Sequence, residues 1–427
     1  MPADAAADQA GIDRAIVDPR TYADQAACDA LFARLRHERP VHWTVPDNVR
    51  PFWTISRHAD IKDIERQNDR FINDPRLVLT SIADEERVKR ITGGSHLLLR
   101  TLVNMDDPDH RVYRNLTQPW FMPPNLKKLE AGLAALAREF VDRLEDMDGE
   151  CDFVRDVAVW YPLRVIMMIL GVPREDEALM LKLTQEIFGA RDPDMRRGGD
   201  TDEKTHVSAT VKEFFSYFGA LIADRRKNPK DDVASVIANA QIGGKPISEF
   251  EALSYYVIIA TAGHDTTSST TAGGLLALMQ NPAELAKLRA RPDLLRLAID
   301  EMVRWVTPVK HFFRTATVDH DLHGHKIRAG DSLMMCYASA NRDEAVFAEP
   351  YAFKVDRAPN PHIAFGYGVH LCLGQHLAKM EIRTLYEELL SRLEHVELAG
   401  DPAWVEATFV SGLKRLPIRY RMKRKAA

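Results

Sequence analysis

The sequence predicts a mainly α-helical domain with small β-sheets. Apolar residues three and four apart run through LKKLEAGLAALAREFVDRL and on toward Leu170, the spacing that lays an apolar stripe along a helix. The same period runs through DEALMLKLTQEIFG and VKEFFSYFGALIADRRKN. SEFEALSYYVIIATAGHDTTSSTTAGGLLALMQN predicts one long helix that stops at Asn281-Pro282, because a proline disfavours helical backbone in the residue before it. Strand signals are fewer. PVHWTV, FWTISR and FRTATV, with HKIRAGDSLMMCYASA, alternate or carry β-branched residues between turn formers. They place small sheets in the N-terminal third and after residue 305.

Composition bounds the function. The chain has 427 residues, a net charge of −5, 45% hydrophobic and 28% charged residues, the balance of a globular protein with a sizeable core. Mild acidity argues against nucleic acid as a partner. Cys28, Cys151, Cys336 and Cys372 include no CxxC pair, and no charged-then-apolar leader is present. A reducing, cytoplasmic setting without a disulfide framework is therefore expected. VIMMILGV and YVIIATAG are too short to cross a bilayer, so no membrane is expected. Residues 1–20, rich in Ala and Asp, are expected to form a flexible segment, and 21–427 a single domain. RRGGDTDEKTH reads as an exposed loop.

The chemistry centres on IAFGYGVHLCLGQHLAKMEI, residues 363–382. A lone thiol, Cys372, stands where a glycine-rich loop opens a helix. Backbone N–H groups and the positive end of the helix dipole favour a thiolate there. Gly366 and Gly368 suit a tight turn before the sulfur, and Gly374 lets backbone approach a flat ligand. An isolated cysteine is more often a small buried hydrophobe, and the flanking residues argue otherwise. Phe365, Gly368, His370, Cys372, Gly374, Leu377 and Ala378 fill the pattern Phe-x-x-Gly-x-(His/Arg)-x-Cys-x-Gly-x-x-Leu-Ala, and the segment resembles the haem-binding loop of the cytochrome P450 superfamily. The resemblance implies the cytochrome P450 fold, a b-type haem and Cys372 as its axial thiolate, which pushes electron density onto iron.

Three other stretches carry the same resemblance. Glu301 and Arg304 of EMVRW share a helix face, and Arg357 stands where the superfamily has a third, basic member of a structural triad that clamps the cysteine loop. ATAGHDTTSSTT puts a run of polar residues after an apolar helical stretch. The residues alone allow either a helix end capped by Asp265 or a mid-helix distortion with hydroxyls bonded to the preceding turn. The superfamily pattern matches Ala262, Gly263, Asp265 and Thr266. It implies a dioxygen groove in which Gly263 gives room, Thr266 helps hold the oxygen species and Asp265 helps deliver protons. His264 is assigned no role. His110 and Arg114 of DHRVYRN, with Arg314 and His370, match the superfamily's donors to the haem propionates, while Phe365, Gly263 and Gly374 complete the cofactor set.

The likeness extends from about Ala23 to Tyr420. Within the superfamily it points to the bacterial terpineol-oxidising monooxygenases, through DGECDF, ALMLKLTQEIFG, IATAGHDTTSS, ANRDEAVF and CLGQHLAKMEI. This implies a monooxygenase that hydroxylates a small apolar substrate, a monoterpenoid or alkyl-aromatic hydrocarbon, with O2 and electrons from a ferredoxin and its reductase. No flavin or nicotinamide fingerprint occurs in the chain. Arg111, Lys127, Lys128 and Lys379 are candidates for a basic face toward an acidic ferredoxin, against the plainer reading of solvated side chains. Ile259, Ala262, Val309 and Val410 are candidate substrate-pocket residues, with core packing as the competing reading. A peroxide-driven oxygenase and a haem-binding sensor are the alternatives. An acid and an alcohol at adjacent positions count against both.

Overall fold

The computed structural model describes residues 3–188 and 203–423. The residues of the expected loop that fall at 196–202 lie outside this range. At the N-terminus, where composition suggested a loose segment, helix α1 (Ala3–Val17) buries Ile12 and Ile16. The Tyr22 hydroxyl holds the Ile16 carbonyl at 2.8 Å. Two apolar residues a helical turn apart are enough to dock a short helix that composition alone reads as polar.

The strands predicted at the two ends of the chain join in one sheet. β1 (Val41–Thr44), β2 (Phe52–Ile55), β3 (Phe71–Ile72), β4 (His311–Ala316) and β5 (Ser332–Cys336) lie in the order β1-β2-β5-β4-β3. β5 pairs in parallel with β2, Met334 opposite Thr54, and antiparallel with β4, Leu333 opposite Arg314. Both faces of the sheet are covered: Phe52, Phe313 and Met334 are fully buried in one apolar cluster, and Ile55, Leu333 and Met335 in another.

The helical body supplies the rest. α2 (His58–Arg66) packs Ile61 and Ile64 against the sheet, and α3 (Asp109–Thr117) packs Tyr113 into the helical core. α4 (Glu130–Asp146) and α5 (Trp160–Leu170) are separated by a strand at Glu150–Asp152 and a π-type turn at Val154–Ala158, so the long periodic stretch is two helices. Gly149, at φ 80°, permits that break. α6 (Glu177–Phe188) and α7 (Glu203–Lys227) follow. α8 (Glu249–Gln280) is the predicted long helix. Ser248 and Glu251 form its capping box, and Asn281 closes it before Pro282. α9 (Leu295–Val306) and α10 (Gln375–Arg392) pack against α8 and each other.

α8 carries no break at its polar run. Thr266, Thr267, Thr270 and Thr271 each donate a side-chain hydrogen bond to the carbonyl four residues back, at 2.8–3.1 Å. The hydroxyls thus bond the preceding turn, as one of the two readings expected, and the helix does not end at Asp265.

Candidate active site

Cys372 lies where the loop from Ile363 enters α10. Its N–H donates to the Phe365 carbonyl at 2.8 Å, which closes the loop under the sulfur. Gly366 and Gly368 have φ of 73° and 69°, the left-handed turn expected of them. At Gly368 a Cβ would stand 2.3 Å from the Glu65 carbonyl oxygen, so this glycine also lets α2 touch the loop. Burial pushes the Cys372 thiol up, while the N–H groups of Gly374 and Gln375 and the charge of Arg114 pull it down. A Cβ at Gly374 would meet no atom within 4 Å, because that side of the loop faces open cavity.

One cavity unites Cys372, Phe365, Gly374 and His370 of the loop with Ile259, Ala262, Gly263 and Thr266 of α8, His110 and Arg114 of α3, Arg314 of β4, and Val309. Two expected members fall outside its lining. Val410 pairs with Val309 through an isolated β-bridge and supports the wall from behind. Asp265 turns its carboxyl toward His264, Oδ1 standing 3.3 Å from Nδ1, with Oδ2 buried and unpartnered. Gly263 lines the cavity and also meets α5: a Cβ there would stand 2.3 Å from Cδ1 of Ile166. Its small size is demanded by the contact between α8 and α5.

A cationic corner closes one end. Arg114 donates to the Leu371 carbonyl at 2.8 Å. The His110 and His370 rings lie with centroids 4.0 Å apart, and His110 Nε2 is buried without a partner. Burial and the charges of Arg314, His110 and Arg114 hold the His370 imidazole down at about 2. Arg314 donates to Glu65 Oε1 at 2.9 Å, and the Tyr337 hydroxyl donates to the same oxygen at 2.6 Å. Asn73 donates from Nδ2 to His370 Nε2 at 2.9 Å. Burial raises the Glu65 carboxyl, and more strongly that of Glu381, which enters the cavity wall from α10.

Glu65, Asn73, Tyr337 and Glu381 were not singled out in the sequence. Glu65 had one legible signal: it lies four residues after Ile61, on the apolar face of α2, where a carboxylate needs a buried partner. Asn73 and Tyr337 reach the site only through chain segments far apart in sequence.

The clamp expected around the loop is assembled. Arg304 reaches Glu301 through Nε at 2.7 Å and Nη2 at 2.8 Å, and Arg357 Nε reaches it at 2.9 Å. The remaining donors of both arginines fall on carbonyls of residues 341–352. Of the expected basic face, Arg111 pairs with Asp107, Lys128 with Asp231 and Lys379 with Asp300, while Lys127 is exposed. Lys62 and Arg66 lie over the ring of Tyr367, beside the cysteine loop.

No helix among the described residues is long and apolar enough to cross a membrane. Residues 84–422 match the family Cytochrome P450. The chain is 43% identical over 415 residues to cytochrome P450-terp of a Pseudomonas species, covering 96% of this chain and 97% of the relative. Linalool 8-monooxygenase of Pseudomonas putida is 31% identical over 401 residues, 94% of this chain and 97% of the relative. Among solved structures, CYP108D1 from Novosphingobium aromaticivorans superposes with a TM-score of 0.90 at 45% identity, covering 97% of this chain and 99% of that one. CYP268A2 of Mycobacterium marinum, in complex with pseudoionone, does so with a TM-score of 0.87 at 32% identity, covering 94% and 97%. The family cofactor is haem b, and this site fits it. A thiol, a face without Cβ at Gly374, the unpartnered His110 Nε2 and the guanidinium groups of Arg114 and Arg314 on the same cavity suit a flat iron porphyrin with two carboxylates. The chain belongs to the cytochrome P450 family and is a monooxygenase of that family.

Proposed function

We propose that Cys372 is the axial ligand of haem b and that the enzyme hydroxylates a small apolar molecule, a monoterpenoid or alkyl-aromatic hydrocarbon, in the cavity beneath α8. The observation that carries the reading is the placing of Cys372 and Thr266 on one cavity whose other walls are largely apolar, including Leu77, Leu102, Ile259, Val303, Val309 and Phe312. Bound haem supplies the activation of dioxygen for insertion of one oxygen atom into a C–H bond. The protein residues do the remaining work. His110, Arg114, His370 and Arg314 hold the two carboxylates of the cofactor, with Glu65 and Tyr337 fixing Arg314. The apolar wall excludes water and orients the hydrocarbon. Thr266 Oγ1, held at 3.0 Å from the Ala262 carbonyl, offers a hydroxyl to the reacting oxygen, and Asp265 supplies protons.

The relatives' names, P450-terp and linalool 8-monooxygenase, favour a terpenoid. Electrons come from a ferredoxin and its reductase in this reading. Exposed Arg66 and half-buried Lys62, at Tyr367 of the cysteine loop, suit an acidic partner. The four unpaired cysteines suit the cytoplasm. The test is twofold. The reduced carbon monoxide adduct should absorb at the long wavelength of thiolate ligation and lose that band in Cys372→Ala. NADH oxidation through a reconstituted ferredoxin system should yield hydroxylated terpenoid. Retention of the band in Cys372→Ala would sink the ligand assignment, and product formed only with added peroxide would sink the electron route.

A further inference from the structure

His264 is wholly buried on the side of α8 away from the cavity. Its Nε2 lies 2.8 Å from the Val159 carbonyl, an acceptor, so Nε2 carries a hydrogen. Its Nδ1 lies 3.3 Å from Asp265 Oδ1 and 3.4 Å from Thr184 Oγ1. The Thr184 hydroxyl donates to the Leu181 carbonyl at 3.0 Å. With that hydrogen committed, Nδ1 and Oδ1 would face each other as two lone pairs unless a proton lies between them.

Nearby charges do not compete for this carboxyl. On the elements packed against α8, Arg155 is committed to Asp156, Arg164 to Glu139 and Glu177, and Lys182 to Glu213. Thr210 donates to Glu186, Arg225 is committed to Asp232, and Glu301 to Arg304 and Arg357. Glu381 faces the cavity from α10. Burial raises the Asp265 carboxyl, and the charge of His264 lowers it.

We infer that His264 and Asp265 hold one proton between them, and that His264 is a positioning residue that orients and recharges the acid next to Thr266. This rests on the monooxygenase reading above. The shared proton passes from His264 Nδ1 to the Asp265 carboxyl and leaves from there toward Thr266, and the pair then takes up one proton in its place. No electron moves within the pair.

The experiment uses haem-loaded enzyme with its ferredoxin system and a hydroxylated terpenoid. His264→Gln keeps an amide donor for the Val159 carbonyl and removes the titrating nitrogen that faces Asp265. Haem content and the substrate-induced spectral shift should match wild type. Product turnover should fall at least about tenfold, a modest share of what a general acid contributes. The solvent deuterium isotope effect should rise. The alkaline limb of the turnover profile should move to lower pH, because the second base that shares the proton with Asp265 is gone. His264→Asn, which offers Asp265 an amide without a titrating nitrogen, should move the limb the same way and stands in if the Gln variant fails to fold. A slower variant whose limb and isotope effect equal those of wild type would reduce His264 to packing and overturn the inference. If wild type itself forms no product, the functional reading falls, and this inference with it.

Discussion

Glu301 and Arg304 meet in a two-point ion pair with neither side chain exposed, and the same carboxylate also takes Arg357 and the N–H of Lys354. The pair is therefore the knot of a network that ties α9 to the segment leading into the cysteine loop.

Cutting that knot from one side leaves a buried carboxylate short of its main partner. Arg304→Ala should cost roughly 3–5 kcal/mol. Thermal or denaturant unfolding of the purified variant, with haem content per chain, checks this. A variant with wild-type stability and full haem would show that the network is dispensable.

Thr266→Ala should leave fold and haem intact, because the hydroxyl bonds only the Ala262 carbonyl of its own helix. NADH consumption should continue while hydrogen peroxide takes the place of hydroxylated product. Product per NADH is the measurement, and a ratio equal to wild type would remove Thr266 from the reaction.

Ala262→Phe tests the cavity directly, since Ala262 lines it on the turn before Thr266. The added ring should exclude terpenoid-sized ligands and leave the spectrum of the substrate-free holoenzyme nearly unchanged. Unaltered binding and regiochemistry would place the substrate elsewhere.

Gly263→Ala should destabilise the protein by about 1–3 kcal/mol through overpacking against Ile166. The double variant with Ile166→Val, which lacks the offending Cδ1, should recover part of the loss. Absence of recovery would mean that the glycine serves the cavity side.

His311 gives a pH signature. Its Nε2 accepts from the Leu79 N–H at 3.0 Å and its Nδ1 donates to the Thr408 carbonyl at 3.1 Å, so the ring is neutral and joins two segments beside the pocket. Burial lowers it from 6.5 to about 3. The unfolded chain binds this proton first as pH falls, so its contribution is complete above 6.5 and declines between 6.5 and 3. The slope should approach 1.4 kcal/mol per pH unit in mid-window. The stability difference between wild type and His311→Gln, followed by denaturant from neutral to acid pH, should shrink over that window. A difference constant with pH would show that the folded protein protonates this ring as readily as the unfolded chain does.

Legible in the sequence alone were the helical class, the long helix with its stop at Asn281, and the loop that presents Cys372. Each of these is local: a period, a cap or a turn glycine acts over a few residues. The Glu301–Arg304 contact was legible for the same reason, as a spacing of three on one helix. Tertiary structure decided the rest. It joined β2 to β5 across most of the chain, seated Val410 behind Val309, and turned Asp265 toward His264. It docked α1 through Ile12 and Ile16 and made Gly263 a contact with α5. It also brought Glu65, Asn73 and Tyr337 to the cationic corner, where each satisfies a buried polar group supplied by another segment. Those relationships depend on which surfaces meet once apolar faces are buried, and no periodicity within a single segment encodes them.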